Sequence, residues 1–362
     1  MTYNFLIYIS YSYALPIGNP LEQEIISQGH TVKWFSDLTD GKNALLDKEN
    51  HLLTIEEVVN YKPDIVLAAT DNVPDFITGL KVQIFHGFFA QKRPEGNNKF
   101  AHFRIRGFFD LYCTQGPTST KGFLEKQKKH PHFEVIETGW SKVDPLFPIE
   151  KRERSSGDKP TIMIASTFTE RLSLAHRNDV YLKIQELSET GNYQFYMVLH
   201  PKLPQDIKLK WQKLVGENFV YYNTTDLIPI FKKSDILFAD TTSAIQEFLL
   251  QGKPVVTFNH TFDHDYLINI KDANSIDSGF QNALTYPPSL IENISKFINQ
   301  LHPYFDGQSS KRVVDATIEF LQRDKHYLKN KPLNLIRKYK LRKQLNYFTF
   351  KSYNKPYTLP KN

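Results

Sequence analysis

Short runs rich in β-branched and aromatic residues alternate with helically spaced segments along most of this chain, and that alternation limits its fold more than any other feature. The run "YNFLIYIS" reads as a strand. In "GNPLEQEIISQG" the residues Leu21, Ile25 and Ile26 fall at helical spacing, and Gly29 marks a helix end. "HTVKWFS" is the next strand, "TIEEVVNYK" a short helix opened by Thr54, and "DIVLAA", "VQIFHG", "FDLYCTQ" and "FEVIETG" are further strands. A polar, charged segment bracketed by Pro148 and Pro160 then interrupts the pattern and reads as a linker. A second series follows: "TIMIAST", a helix near Tyr181 to Leu187, "YQFYMVLH", "FVYYN", "DLIPIFKKS", "DILFAD", "TSAIQEFLLQG" and "PVVTFN". "SLIENISKFINQL" and "SSKRVVDATIEFLQ" read as closing helices. Strands separated by helices and short breaks predict parallel α/β sheets. A chain of 362 residues exceeds a usual single core, so two domains are expected, over 1–150 and 151–320, with a tail over 321–362.

The tail differs in charge from the rest. Residues 321–362 carry 12 Lys and Arg against the single acid Asp324, leaving 33 basic and 38 acidic side chains on residues 1–320. A mildly acidic body with a strongly basic tail points to an anionic surface as the tail's partner, either membrane or nucleic acid. The spacing of Leu335, Ile336, Tyr339, Leu345 and Phe348 among its cations is roughly helical. Such a segment either packs back as a closing helix or lies on a lipid surface. The lone Cys113 excludes an internal disulfide, predicts a reducing compartment and reads as a packed thiol. The apolar run at the start lacks a basic flank and is too short to span a bilayer, so it reads as a first strand.

Several strands end on polar residues. "VQIF" stops at His86-Gly87, "FEVIE" at Thr138-Gly139, "YQFYMVL" at His200-Pro201 and "DILFA" at Asp240-Thr241-Thr242-Ser243. Ligands of open parallel sheets bind beyond the carboxyl ends of the strands. A histidine there is placed for proton transfer near neutral pH, and the Asp-Thr-Thr-Ser run collects hydroxyls and backbone N–H groups that suit a phosphate. Each group also has a plainer reading: His86 as a satisfied strand-end histidine, Ser243 as a helix cap, His200-Pro201 as a strand stop. His260, Asp263 and His264 lie close together, but no second cluster supports a metal.

Taken in order, "HGFFAQKR", "FDLYCTQGPTSTKGF", "IETGWSKVDPLF", "IASTFTER", "MVLHPKL" and "ADTTSAIQEFLLQGKPVVTF" resemble the CDP-glycerol glycerophosphotransferase family, the primases and polymerases of poly(glycerol phosphate) in teichoic acids and related capsules. The resemblance spans roughly Phe85 to Phe258. It implies a GT-B architecture, two Rossmann-like domains with an interdomain cleft, with neither metal nor cofactor. It also implies roles. His86 matches the proposed general base on the acceptor hydroxyl, and Lys92 and Arg93 would draw in an anionic acceptor. His200 matches a catalytic histidine on the donor phosphates. Gly139, Arg171, Asp240, Thr242 and Ser243 match donor-binding positions, with Asp144 in the Gly139 turn and Lys142 where the family has arginine. "HGFFAQKR" departs from the usual "HGTPLK", and Thr241 replaces a tyrosine; the first change lies on the acceptor side.

The function so implied is transfer of glycerol phosphate from a CDP-activated donor to an alcohol on a lipid-linked or glycan acceptor during surface-polymer synthesis. The enzyme would be cytoplasmic and peripheral on the inner face of the membrane through its tail, with no nucleic acid as partner. A GT-B glycosyltransferase or epimerase acting on sugar nucleotides is the alternative reading.

Overall fold

The computed structural model describes residues 1–88, 103–150 and 157–360. Lys92 and Arg93 therefore lie outside the described residues. Two compact units are formed. One contains a six-stranded, all-parallel sheet of β1 (Asn4–Ile9), β2 (Thr31–Ser36), β3 (Ile65–Ala68), β4 (Leu80–Gln83), β5 (Leu111–Thr114) and β6 (Glu134–Glu137), in the order β2-β1-β3-β4-β5-β6. The other contains β7 (Thr161–Ser166), β8 (Gln194–Leu199), β9 (Phe219–Tyr222), β10 (Ile236–Ala239), β11 (Val255–Phe258) and β12 (Ile268–Ile270), again all parallel, in the order β12-β11-β10-β7-β8-β9.

The reason for parallel sheets is visible in burial. Every residue of β3, β4, β5, β7, β10 and β11 is buried, as strands covered by helices on both faces must be. Each fully buried Ile, Leu, Phe or Met in them contributes about 1.5–3 kcal/mol relative to exposure. The predicted helix opened by Thr54 runs Ile55–Tyr61 and is held by a capping box: Thr54 Oγ1 accepts from Glu57 N at 3.2 Å, and Glu57 Oε2 accepts from Thr54 N at 3.1 Å.

The two cores differ in continuity. Among the described residues the second unit is the single stretch Leu146–Gln300. The first unit takes up to Pro145 and then everything from Leu301 onward. This departs from the expected boundary near 320 and from a separate tail. The helix Ser309–Gln322 packs in the first unit against the helix Leu15–Ser27, and Asp144 caps it, accepting from Ser309 N at 2.9 Å and from Ser310 N and Oγ at 2.6 Å each. The tail is bound by charge as well as by packing. Lys331 Nζ lies 2.7 Å from the buried Asp110, Arg342 lies 2.7 Å and Lys338 3.9 Å from the buried Asp75, and Leu341 sits in the first unit's apolar core. The tail therefore packs back on the first unit, and part of its cations are structural.

Candidate functional site

Two groups of strand-end residues stand out, one in each unit. In a sheet of order 2-1-3-4, connections leave in opposite directions from neighbouring strands β1 and β3, which opens a crevice at their carboxyl ends. A cavity of about 330 Å³ lies there, lined by Ser10, Tyr11 and Tyr13 after β1, Asp37 after β2, Ala69 to Asn72 after β3, and His86 after β4. The chain reverses hand at Phe85, whose φ of 59° is left-handed and unusual for an aromatic residue. That twist sends the Phe85 ring into the core, 5.1 Å from Phe123, while His86 beside it is exposed at the cavity. Gln115 Nε2 donates to Gly87 O at 3.0 Å and fixes the turn. A methyl group on Gly87 would meet nothing among the described residues.

Around His86 the lining is aromatic and acidic. Tyr11 and Tyr13 stack at 5.3 Å, and the Tyr13 ring is 6.2 Å from His86. Burial pushes the Tyr13 hydroxyl up to about 12. Asp37 accepts from Ser10 Oγ at 2.6 Å and from Gln344 Nε2 at 3.2 Å, and burial raises its carboxyl above the usual range. Asp71 pairs with Arg106 at 2.9 Å. Two tail residues, Leu341 and Gln344, complete the wall.

The second sheet reverses direction between β7 and β10, with β8 on the other side of β7. His200 follows β8, the segment Thr167 to Leu174 follows β7, and Asp240 to Ser243 follow β10. Asp240 is fully buried. Its carboxylate accepts from Ser166 Oγ at 2.6 Å, Thr167 N at 2.9 Å and Leu174 N at 2.9 Å, so it anchors both ends of the loop that carries the exposed Arg171. Burial pushes this carboxyl up to about 6 despite those bonds. A carboxyl so enclosed and hydrogen-bonded holds the loop in shape.

His200 Nδ1 accepts the Lys202 N–H at 3.1 Å, and burial, then Lys202 and Lys208, lower the ring to about 4. The ring is neutral at pH 7, and with Nδ1 accepting, Nε2 carries the proton. It offers one N–H donor. The half-exposed Phe168 ring lies 4.7 Å from it, and Lys202 Nζ lies 5.7 Å over Phe168. Thr242 Oγ1 accepts from Ala244 N at 3.4 Å, whereas Ser243, at the N-cap of the short helix Ala244–Leu249, makes no side-chain cap bond. The plain capping reading of Ser243 therefore does not hold.

Gly139 falls elsewhere. It lies in the first unit with φ of 82°, and an added Cβ would come within 2.4 Å of Ser309 Oγ. With Asp144 it forms the joint that seats the helix Ser309–Gln322, and Lys142 Nζ lies 5.4 Å over the Trp140 ring beside it. This turn packs the fold, where the resemblance had placed donor binding. Cys113 is buried on β5, as a packed thiol should be. His260 Nδ1 lies 2.9 Å from Phe262 O, and no metal-type cluster of three or more ligands occurs among the described residues. No described helix is long and apolar enough to cross a membrane. Sequence reasoning missed Tyr11, Tyr13, Asp37, Asp71, Phe168 and Lys202; position after a strand was the one available signal for most of them.

No family model matches the sequence, and no curated protein is significantly similar to it. Solved structures are similar. A variant of the wall teichoic acid polymerase TagF superposes with a TM-score of 0.62 at 11% identity, over 88% of this chain and 88% of that one. UDP-GlcNAc 2-epimerase from Neisseria meningitidis, bound to UDP-GlcNAc, gives 0.58 at 16% identity, over 87% and 100%. S. aureus MnaA with UDP gives 0.59 at 14%, over 91% and 99%. The chain has the GT-B fold. At these identities the likeness is one of fold.

Proposed function

We propose that this chain is a transferase that moves glycerol phosphate from CDP-glycerol to an alcohol. The observation that carries the reading is the pair of strand-end sites: an exposed histidine over a cavity in one unit, and in the other a neutral N–H-donating histidine beside an arginine loop, with a Ser243 hydroxyl that makes no cap bond. The motif order from His86 to Ser243 and the fold shared with TagF, also solved with CDPG, support the choice of donor. Roles divide between the units. His86 takes the acceptor proton as the acceptor oxygen bonds to the glycerol-side phosphorus; the bond from that phosphorus to the bridging oxygen breaks and CMP leaves. Positioning and charge stabilisation supply most of the acceleration in such transfers. His200, Arg171, Thr242 and Ser243 hold the diphosphate, and Phe168 offers a face for the base. Lys92 and Arg93 keep their proposed place on the acceptor side.

The tail supports a peripheral site of action. Its helix Leu335–Gln344 turns Lys338, Leu341 and Arg342 inward and leaves Leu335, Ile336, Tyr339, Lys340 and Lys343 exposed. Apolar side chains among cations suit an anionic lipid surface, where each Lys or Arg contributes about 1 kcal/mol. A sugar-nucleotide glycosyltransferase is the second reading, favoured by the fold shared with a UDP-GlcNAc-bound enzyme. Incubation with CDP-glycerol, UDP-sugars and CMP-sugars, with product mass spectrometry, tests both. Release of CMP with a glycerol phosphate adduct is expected; UDP release with a glycosyl adduct selects the second reading.

A further inference from the structure

The tail helix Leu335–Gln344 has three sides, and each meets something different. Ile336, Tyr339, Lys340 and Lys343, at i, i+3, i+4 and i+7, share its exposed side. Lys338, Leu341 and Arg342 turn into the first unit. Leu341 and the flanking Gln344 line the cavity of His86, where Gln344 Nε2 donates to Asp37 Oδ2 at 3.2 Å. Arg342 joins these sides. Its guanidinium donates to Asp75 at 2.7 Å, to Lys351 O at 2.7 Å and to Thr349 O, which folds the chain after the helix back beside it. Phe348 is so brought to 6.3 Å from Tyr339. Leu333, Leu335, Ile336, Tyr339, Phe348 and Phe350 are each more than half exposed, a density beyond the scattered apolar residues of an ordinary surface. Lys340, Lys343, Lys351 and Lys355 are exposed among them, and residues 325–362 hold neither Asp nor Glu. An anionic bilayer complements such a patch in both charge and polarity.

A helix of ten residues is shorter than the roughly 12–15 that an isolated helix needs in water, so this one is held by its seat on the first unit. The patch is therefore assembled only while Arg342 lies on Asp75 and Leu341 and Gln344 stand at the cavity. A bilayer binds the assembled patch more tightly than a detached chain, and such a difference in affinity is what shifts an equilibrium. Resting on the peripheral reading above, we propose that lipid docking and completion of the His86 cavity are one event. An anionic surface holds the tail helix in its seat, and Leu341 and Gln344 then close the wall against Asp37. The cavity is thus firmest at the surface and looser away from it.

The test is amide hydrogen exchange on the full chain, measured without lipid, with phosphatidylcholine vesicles and with vesicles that also contain phosphatidylglycerol. The mixed vesicles are expected to slow exchange by about five- to ten-fold, both in 335–351 and in the cavity turns 10–14, 37–40 and 69–72. Ile336→Asp with Tyr339→Asp is expected to exchange like wild type without lipid, which shows that it folds, and to lose the response in both regions. Gln344→Ala is expected to sediment with the mixed vesicles as wild type does, yet to lose the slowing at 37–40. That variant separates coupling through the helix from simple covering of the cavity by lipid. Slowing confined to 335–351, an equal response to phosphatidylcholine alone, or slowing at 37–40 that persists in Gln344→Ala overturns the inference. Failure of the wild type to bind the mixed vesicles overturns the peripheral reading, and the inference with it.

Discussion

At the scale of single residues, chemistry depends on where each strand stops. His86 is turned outward by the left-handed backbone at Phe85, so its loss should leave the fold and the second unit unchanged. His86→Ala is expected to lower kcat by about 10²–10⁴-fold while nucleotide affinity holds, as removal of a base on the acceptor requires. Steady-state kinetics beside calorimetry with CDP-glycerol checks this, and near-normal turnover would show another means of acceptor activation. His200 gives a pH signature. Its ring titrates near 4, so it stays neutral with Nε2–H in place from pH 5 upward. Donor kcat/KM should therefore show no titration from His200 between pH 5 and 8; only below about 5 does added positive charge strengthen its hold on phosphate. For Asp240→Asn, the carboxamide keeps one acceptor oxygen where three donors converge, so a loss of about 1–3 kcal/mol in stability is expected together with weaker donor binding. Unchanged urea midpoint and unchanged donor KM would separate the loop from the donor site.

At the scale of elements, the tail helix is a clasp. Arg342 and Lys338 enclose Asp75, and Lys331 meets Asp110, while Lys81 lies buried beside them on β4 with its Nζ donating to Ile77 O at 2.8 Å. Arg342→Ala leaves the Asp75 carboxylate with only the more distant Lys338 and should cost about 3 kcal/mol in denaturant unfolding. Burial, then Lys331, lowers Lys81 from 10.5 to about 7. Between those values the unfolded chain binds a proton that the folded chain does not, so stability rises with pH from about 7 to 10. Lys81→Met should raise stability at pH 7 and flatten that rise; an unchanged pH slope would remove Lys81 as its source. What was legible follows from the same physics. Strands announced themselves because both faces are buried, and Thr54 announced its helix because a cap is local. The helix Leu15–Ser27 begins before the predicted 18–29, with Pro16 in its first turn, where a missing N–H loses no helical bond. The helix Pro117–Lys129 escaped notice because Phe123 is its one large buried apolar residue. The clasp and the cavity were illegible for a different reason: Asp75 meets Arg342 across 267 positions, and the cavity gathers ordinary loop residues from four strand ends.

At the scale of the whole molecule, the exposed and buried sides of the tail helix predict separable losses. Removing residues 333–362 strips Leu341 from the core and Arg342 from Asp75, so truncation is expected to unfold the first unit and cannot test lipid binding. Ile336→Asp with Tyr339→Asp touches only the exposed face. The pair is expected to abolish sedimentation with anionic vesicles and to retain transfer to a soluble acceptor mimic; undiminished vesicle binding would leave the face without that role. The discontinuity of the first unit has a further consequence, for the order of events during synthesis. Residues 146–300 can close their own core as soon as they leave the ribosome, because every strand of the second sheet is then present. The earlier-made half must wait, its β4 and β5 lacking Asp75's and Asp110's partners until the last sixty residues emerge. A nascent chain with only residues 1–300 emerged would thus hold a finished second unit beside an unfinished first one. The wall supplied by Leu341 and Gln344 arrives last, so His86 gains its complete cavity only when the tail helix has been made.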